Sequence, residues 1–267
     1  MPVNDELGKR MKEYYEMRSR TSLMRREPVA IRIDGKAFHT FTKGLKRPFD
    51  DILMLSMKET MLDLCRNIQG CVFGYTQSDE ITLILIDYQT LTTDAWFDYE
   101  VQKITSISAS MATLYFNQHF AENADYWVDN YYQAWHHSDD DDKYLQALDK
   151  CCKVGAMFDA RCFNIPKEEV CNLIYWRQLD ATRNSIQMVG QTFFSHKQLQ
   201  NKTCNNIQDM LMEEYKINWN NYSADKKRGT ACFRDDNGKW NIDNPPILKG
   251  ENRYYVEKHI YLPTDDT

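Results

Sequence analysis

Residues 71–86 read CVFGYTQSDEITLILI. Two β-rich runs, 71–76 and 81–86, flank four polar residues: Gln77, Ser78, Asp79 and Glu80. Runs of this kind around so short a break predict a β-hairpin, here with an acidic tip. Upstream, Pro28 closes a polar arm and a strand is predicted over 29–34. Val29, Ile31 and Ile33 share one of its faces, and Ala30, Arg32 and Asp34 the other. Gly35 breaks that strand, and a short basic loop leads to Pro48. A helix is predicted over 51–68, with Met54, Met57, Met61, Leu64, Cys65 and Ile68 at helical spacing. Asp50 or Asp51 can cap it, and Gly70 stops it.

Downstream of the hairpin, Phe97, Val101, Ile104, Ser108, Met111 and Tyr115 form one stripe of a long helix, predicted over 94–120. Ser106, Ala109, Ser110 and Ala112 are small and suit close packing on a sheet. An aromatic and acidic stretch follows to about 153, and a fourth strand fits 156–165. The order is β-α-β-β-α-β, an α+β, ferredoxin-like split βαβ unit: an antiparallel sheet with helices on one face. Many polymerase palms and nucleotide cyclases are built this way, and the order alone does not set a function. Residues 1–165 are read as this core with a basic N-terminal arm. Residues 166–267 are read as a mainly helical extension packed on the core in one compact unit. It is helical to about 215, with a short strand at 229–234 and a Pro/Asn-rich tail.

Composition narrows the class. The chain has 267 residues, 42% apolar and 13% aromatic, enough for a real core. No 18-residue apolar run is present, and residues 1–26 lack the apolar stretch of a signal peptide, so a soluble, cytoplasmic protein with no membrane partner is expected. None of the eight cysteines forms a Cys-x-x-Cys pair, and several lie in apolar runs, which points to buried thiols rather than zinc or disulfides. The net charge of −6 does not exclude a nucleic-acid partner, because local patches set the binding field. Three basic patches stand out. One runs from Lys9 through Arg25 and Arg26, a second holds Lys43, Lys46 and Arg47, and a third is Lys226, Lys227 and Arg228. The acidic run Asp139 to Asp142, preceded by His136 and His137, reads as a solvated loop, with a metal site as the alternative.

The chemistry is expected at one sheet edge. With the first strand central and beside the strand that opens the hairpin, Asp34 would approach Asp79 and Glu80. Three carboxylates so placed repel one another unless a cation neutralises them. Oxygen ligands without histidine favour Mg²⁺, which typically uses one or two carboxylates and substrate phosphates. A pair of such ions serves phosphoryl transfer. Gly35, lacking a Cβ, would let a phosphate approach the backbone, and the amides of Lys36, Ala37, Phe38 and His39 would cradle a triphosphate beside Lys46 and Arg47. The simpler alternative is that Asp34 caps a turn and Asp79 and Glu80 decorate a hairpin.

These residues resemble the tRNA-His guanylyltransferase family, in particular its bacterial and archaeal relatives that polymerise in the 3′–5′ direction. Residues 32–41, RIDGKAFHTF, are similar to its first metal motif, and residues 74–80, GYTQSDE, to its second. Pro48 and Asp50, Phe158, Asp159 and Arg161, then Trp176, Arg177, Gln178 and Asp180 continue the match, and Ile217, Asn218, Arg228 and Gly229 close it. The resemblance implies a nucleotidyltransferase that activates an RNA 5′ end with ATP and joins an incoming nucleotide such as GTP through its 3′-hydroxyl. It implies two Mg²⁺ ions on Asp34, Asp79 and the carbonyl of Gly35, with Ser78 beside the triphosphate, Glu80 as a motif acid, and a homotetramer. RNA contacts are expected at Arg25, Arg26, Lys227 and Arg228. Family members that add G to tRNA-His carry a His-Ile-Asn-Asn run where this chain has Thr182, Arg183, Asn184 and Ser185. Arg47 replaces the usual Lys before Pro, and no basic residue stands near Ile207, Lys202 being the nearest substitute. The departure at Thr182 favours template-dependent repair of truncated tRNA 5′ ends over addition to tRNA-His. The rivals are a palm-fold cyclase, which would need no RNA, and an RNA-binding module, which would carry aromatics on its central strands.

Overall fold

The computed structural model describes residues 6–132, 138–235 and 237–261. Its sheet is built from β1 (Val29–Gly35), β2 (Cys71–Gln77), β3 (Glu80–Leu85), β4 (Phe158–Asn164), β5 (Thr230–Arg234) and β6 (Trp240–Asp243). The spatial order is β4-β1-β3-β2-β5-β6, with every neighbouring pair antiparallel. The first four strands are therefore the ferredoxin-like order, as the β-α-β-β-α-β reading requires. One expectation is corrected. β1 lies beside β3, which closes the hairpin, and not beside β2, which opens it. A right-handed crossover from β1 through a helix leaves a strand-wide gap, and the hairpin folds β3 back into it. β6 lies in the tail read as Pro/Asn-rich coil; Trp240 and Ile242 give it too short a pattern to be seen in sequence.

Along the chain the helices are α1 (Glu6–Tyr14), α2 (Phe38–Phe41), α3 (Asp51–Asn67), α4 (Val101–Trp127), α5 (Asp139–Val154), α6 (Lys167–Phe193), α7 (His196–Leu199), α8 (Cys204–Tyr215), α9 (Ala224–Arg228) and α10 (Tyr254–Glu257). Asp50 caps α3 by accepting from the amide of Leu53, and Gly70, at φ 79°, turns the chain into β2. α4 starts seven residues later than the apolar stripe suggests. Trp96 and Tyr99 are buried, and Phe97, Asp98 and Tyr99 adopt positive φ, which ends one helical turn before the next begins. The acidic run from Asp139 to Asp142 is not a loop but the first turn of α5. There the carboxylates face the positive helix end, and Ser138 and Asp141 form a capping box. His136 and His137 lie outside the described residues.

α3 and α4 cover one face of the sheet. Val29, Ile31, Ile33, Ile81 and Leu83 meet Met57, Met61, Leu64, Ile104 and Phe116 in a dry core. α6 and α10 cover the other face, where Ala30, Phe73, Tyr75 and Ile84 meet Val170, Ile174, Val256 and Ile260. A smaller core joins the last turns of α6 to α8 through Val189, Ile207, Leu211 and Trp219. Cys65, Cys71, Cys151, Cys171 and Cys232 are buried thiols, and none of the eight cysteines is in a disulfide.

Candidate active site

The alternation along β1 that buries Ile31 and Ile33 under α3 and α4 turns Arg32 and Asp34 to the α6 face. Asp34 is the next-to-last residue of that strand. Across the ladders it stands opposite Glu80 on β3 and Asp159 on β4. The turn between β2 and β3 is only Ser78 and Asp79, since Gln77 pairs with Glu80. Ser78 takes a left-handed conformation, φ 51°, and its hydroxyl donates to Asp79 Oδ1 at 2.9 Å. The amide of Gly35 donates to the carbonyl of Asp79 at 3.0 Å, tying strand end to hairpin tip. Burial raises the carboxyl of Asp34 above its ordinary range, and the charges of Asp79, Glu80 and Asp159 add to this against Arg161. Burial likewise raises Asp79, the Ser78 hydroxyl opposing. Asp159, which the sequence marked only as part of a resemblance, is thus the third flank of the acid cluster.

Glu80 belongs to a different arrangement. It is buried, and its two oxygens are taken by Arg32 at 2.7 Å and Arg177 at 2.6 Å. Arg177 also donates to Asp180 at 2.8 Å, and both guanidinia lie over the ring of Trp176. Both oxygens of Glu80 are thus engaged by arginines, an arrangement suited to holding the hairpin in place. No group of three or more metal-ligating side chains converges among the described residues. Asp34 and Asp79 alone suit Mg²⁺, whose remaining positions are commonly filled by water and phosphate oxygens.

A cleft of about 500 Å³ opens beside Asp79 and Ser78. Its wall is the turn from Gly35 to α2. Ala37 is left-handed at φ 53°, and the amides of Ala37, Phe38 and His39 have no acceptor among the described residues. The Phe38 ring anchors that turn in a cluster with Phe41, Phe116 and Phe158. This also explains Gly35: a Cβ there would sit 2.2 Å from the Phe38 ring, so the glycine makes room for the ring. Lys36 departs from the expected cradle. Its amide is bonded to the carbonyl of Met157 at 2.8 Å, and the residue lines a separate cavity on the other side of the turn. Arg47 reaches the cleft unpaired among the described residues, whereas Lys46 sits over the rings of Tyr144 and Trp127 at 4.3 and 5.2 Å. Met188 and Gln191 of α6 complete the wall, and nothing in their local sequence marked them.

The basic residues expected to meet RNA are largely used inside the molecule. Arg25 pairs with Asp87 at 2.6 Å and reaches the carbonyl of Thr93. Arg26 binds the carbonyls of Asp87 and Thr90. Lys227 donates to the carbonyl of Asn220 at 2.6 Å, and Arg228 Nε is buried without a partner among the described residues. The Thr182 hydroxyl lies between the carbonyl of Gln178 on its own helix, at 3.0 Å, and that of Lys227 on α9, at 3.2 Å.

Residues 8–166 match the profile of the tRNAHis guanylyltransferase family. A curated relative, the probable tRNA(His) guanylyltransferase of Dictyostelium discoideum, is 24% identical over 86% of this chain and 83% of its own length. Among solved structures, a bacterial tRNA(His) guanylyltransferase (Thg1)-like protein in complex with ATP is 42% identical with a TM-score of 0.80, covering 96% of this chain and all of the other. A second structure, of a bacterial tRNA(His) guanylyltransferase (Thg1)-like protein in complex with GTP, is 37% identical with a TM-score of 0.75 over 97% of this chain and all of its own. With that fold and those matches, this chain belongs to the tRNAHis guanylyltransferase family and is a nucleotidyltransferase.

Proposed function

We propose that this nucleotidyltransferase repairs truncated tRNA by adding nucleotides to the 5′ end in the 3′–5′ direction, copying the opposite strand. The observation that carries the reading is a nucleotide-sized cleft lined by Gly35, Ser78 and Asp79, whose turn offers three unused amides, with Asp34 next to Gly35 on the adjoining strand. In the first step the RNA 5′-phosphate attacks the α-phosphorus of ATP and pyrophosphate leaves. In the second the 3′-hydroxyl of the incoming nucleotide, GTP among them, attacks the RNA 5′-phosphorus and AMP leaves. Asp34, Asp79 and the carbonyl of Gly35 would hold two Mg²⁺ ions, which supply charge neutralisation at phosphorus when bound. The amides of Ala37, Phe38 and His39, with Ser78 and Arg47, hold the triphosphate. Glu80 fixes the hairpin through Arg32 and Arg177. Thr182, where the resemblance places histidine in members acting on tRNA-His, supports repair over addition to tRNA-His. We take residues 1–165 and 166–267 as core and extension of a single unit that assembles as a cytoplasmic homotetramer.

The test incubates the protein with Mg²⁺, ATP, labelled GTP and 5′-monophosphorylated tRNA lacking its first nucleotide, beside full-length tRNA-His. Extension of the truncated RNA to match its 3′ strand is expected. Addition to tRNA-His alone would replace repair by tRNA-His maturation. Turnover of nucleotide without RNA would indicate a cyclase, and no reaction anywhere a binding module.

A further inference from the structure

A second cleft, of about 600 Å³, adjoins the first and shares Arg47 and Gln191 with it. Its remaining wall comes from the end of α6 and the α7–α8 connection, where Gln187, His196, Gln200, Asn201 and Lys202 are all exposed. Phe194, Leu199 and Ile207 form its floor. No carboxylate lines it, although the chain carries 39 acidic residues and a net charge of −6. The reason is in the sequence. Residues 181–208 contain no aspartate or glutamate, and neither do residues 35–49. Folding brings these two acid-free segments together at Arg47. The side chains of Arg47, His196 and Lys202 have no hydrogen-bond or ionic partner among the described residues, in contrast to Arg25, Arg26 and Lys227. Carboxamides that donate and accept, cations without internal partners and an apolar floor are the chemistry of a site for unpaired nucleotides.

We infer that this second cleft seats the single-stranded 3′ end of the RNA whose 5′ end lies at Asp34 and Asp79. The inference rests on the repair reading, because only an enzyme that copies the opposite strand needs that strand held beside the nucleotide cleft. Arg47 and Gln191, common to both clefts, stand where the two strands part. Arg47 and Lys202 meet phosphates, and the amides of Gln187, Gln200 and Asn201 meet base edges.

The test uses Gln187→Ala/Gln200→Ala/Lys202→Ala, which leaves the first cleft untouched and changes only exposed side chains. Binding is measured for 5′-truncated tRNA with its 3′ single strand, for the same RNA trimmed blunt, and for ATP alone. Expected are an affinity at least tenfold lower for the overhanging RNA only, and a salt slope shallower by about 0.7 for the one charge removed. Equal losses for overhanging and blunt RNA would overturn the inference in favour of a duplex contact. A loss of ATP affinity would make the cleft a free-nucleotide site, and no change would leave RNA elsewhere. If the wild-type protein discriminates overhanging from blunt RNA but extends neither, the repair reading fails while the cleft assignment stands.

Discussion

The two faces of the sheet bury different chemistry. Under α3 and α4, the rings of Phe38, Phe41, Phe116, Phe120 and Phe158 pack with centroids 5.2 to 5.9 Å apart, and the buried hydroxyls of Ser56, Thr60 and Ser108 are bonded back to their own helices. Under α6, apolar contacts are interrupted by Arg32, Glu80 and Arg177 beneath Trp176. The first face is held by area removed from water, which is non-directional. The second depends on ion pairs with fixed partners, so it sets the position of the hairpin that carries Asp79 relative to the strand that carries Asp34. Stability should therefore be distributed over the first face, and geometry concentrated in the second.

The largest effect should appear at the edge where the faces meet. Asp79→Ala should lower nucleotide transfer at least a thousandfold, about 4 kcal/mol of activation free energy, with little change in melting temperature. Full transfer by this variant would remove the metal assignment. Next, Phe116→Ala should cost about 3–5 kcal/mol in urea unfolding while the folded fraction keeps its activity. Activity lost in proportion to neither fold nor stability would mean the apolar face also steers the site. Arg177→Met should cost about 3 kcal/mol, the low end for breaking a buried pair, because Arg32 still holds Glu80. Adding Glu80→Leu should restore most of that stability but not the activity, since the hairpin loses its fixed partner. Recovery of both would show that the ion pairs are incidental to geometry.

The smallest effect concerns pH. Asp34 and Asp79 have folded-state pKa values raised above the unfolded value, so the folded chain holds more protons than the unfolded one between the two. Metal-free stability should thus fall as pH rises through that window and remain lower at neutral pH. Asp34→Asn should lessen the fall and melt higher at pH 7 in chelator, and Mg²⁺ should raise the melting temperature of the wild type more than of the variant. Thermal scans from pH 4 to 7 check both, and a variant that melts lower throughout would show that Asp34 stabilises the fold instead.

How much of this was legible in the chain follows from the range of each interaction. Alternation in 29–34 specified a strand and its faces because side-chain direction in a strand is a local property, and two β-rich runs in 71–86 specified a hairpin. The acidic tip was equally visible, since a two-residue turn leaves Asp79 no other place. Asp159 carried no such signal, because its relevance comes from ladder register with a strand more than a hundred residues away. Glu80 read as a third acid beside Asp79, and its pairing with Arg177 of α6 was not visible, because that partner lies about a hundred residues away. The basic patches misled for a related reason: composition counts charges, but whether Arg25 meets RNA or Asp87 depends on what folds against it.

By itself the sequence determined the β-α-β-β-α-β order of the core, the two faces of its first strand, the acidic hairpin and the family resemblance, all of which depend on local periodicity and short motifs. Only the tertiary structure decided that β3 lies against β1, that Glu80 is neutralised, that Gly35 yields to Phe38, and that two acid-free segments meet at Arg47. Those outcomes depend on contacts between residues far apart in the chain, where packing and charge pairing, rather than local conformation, select the partner.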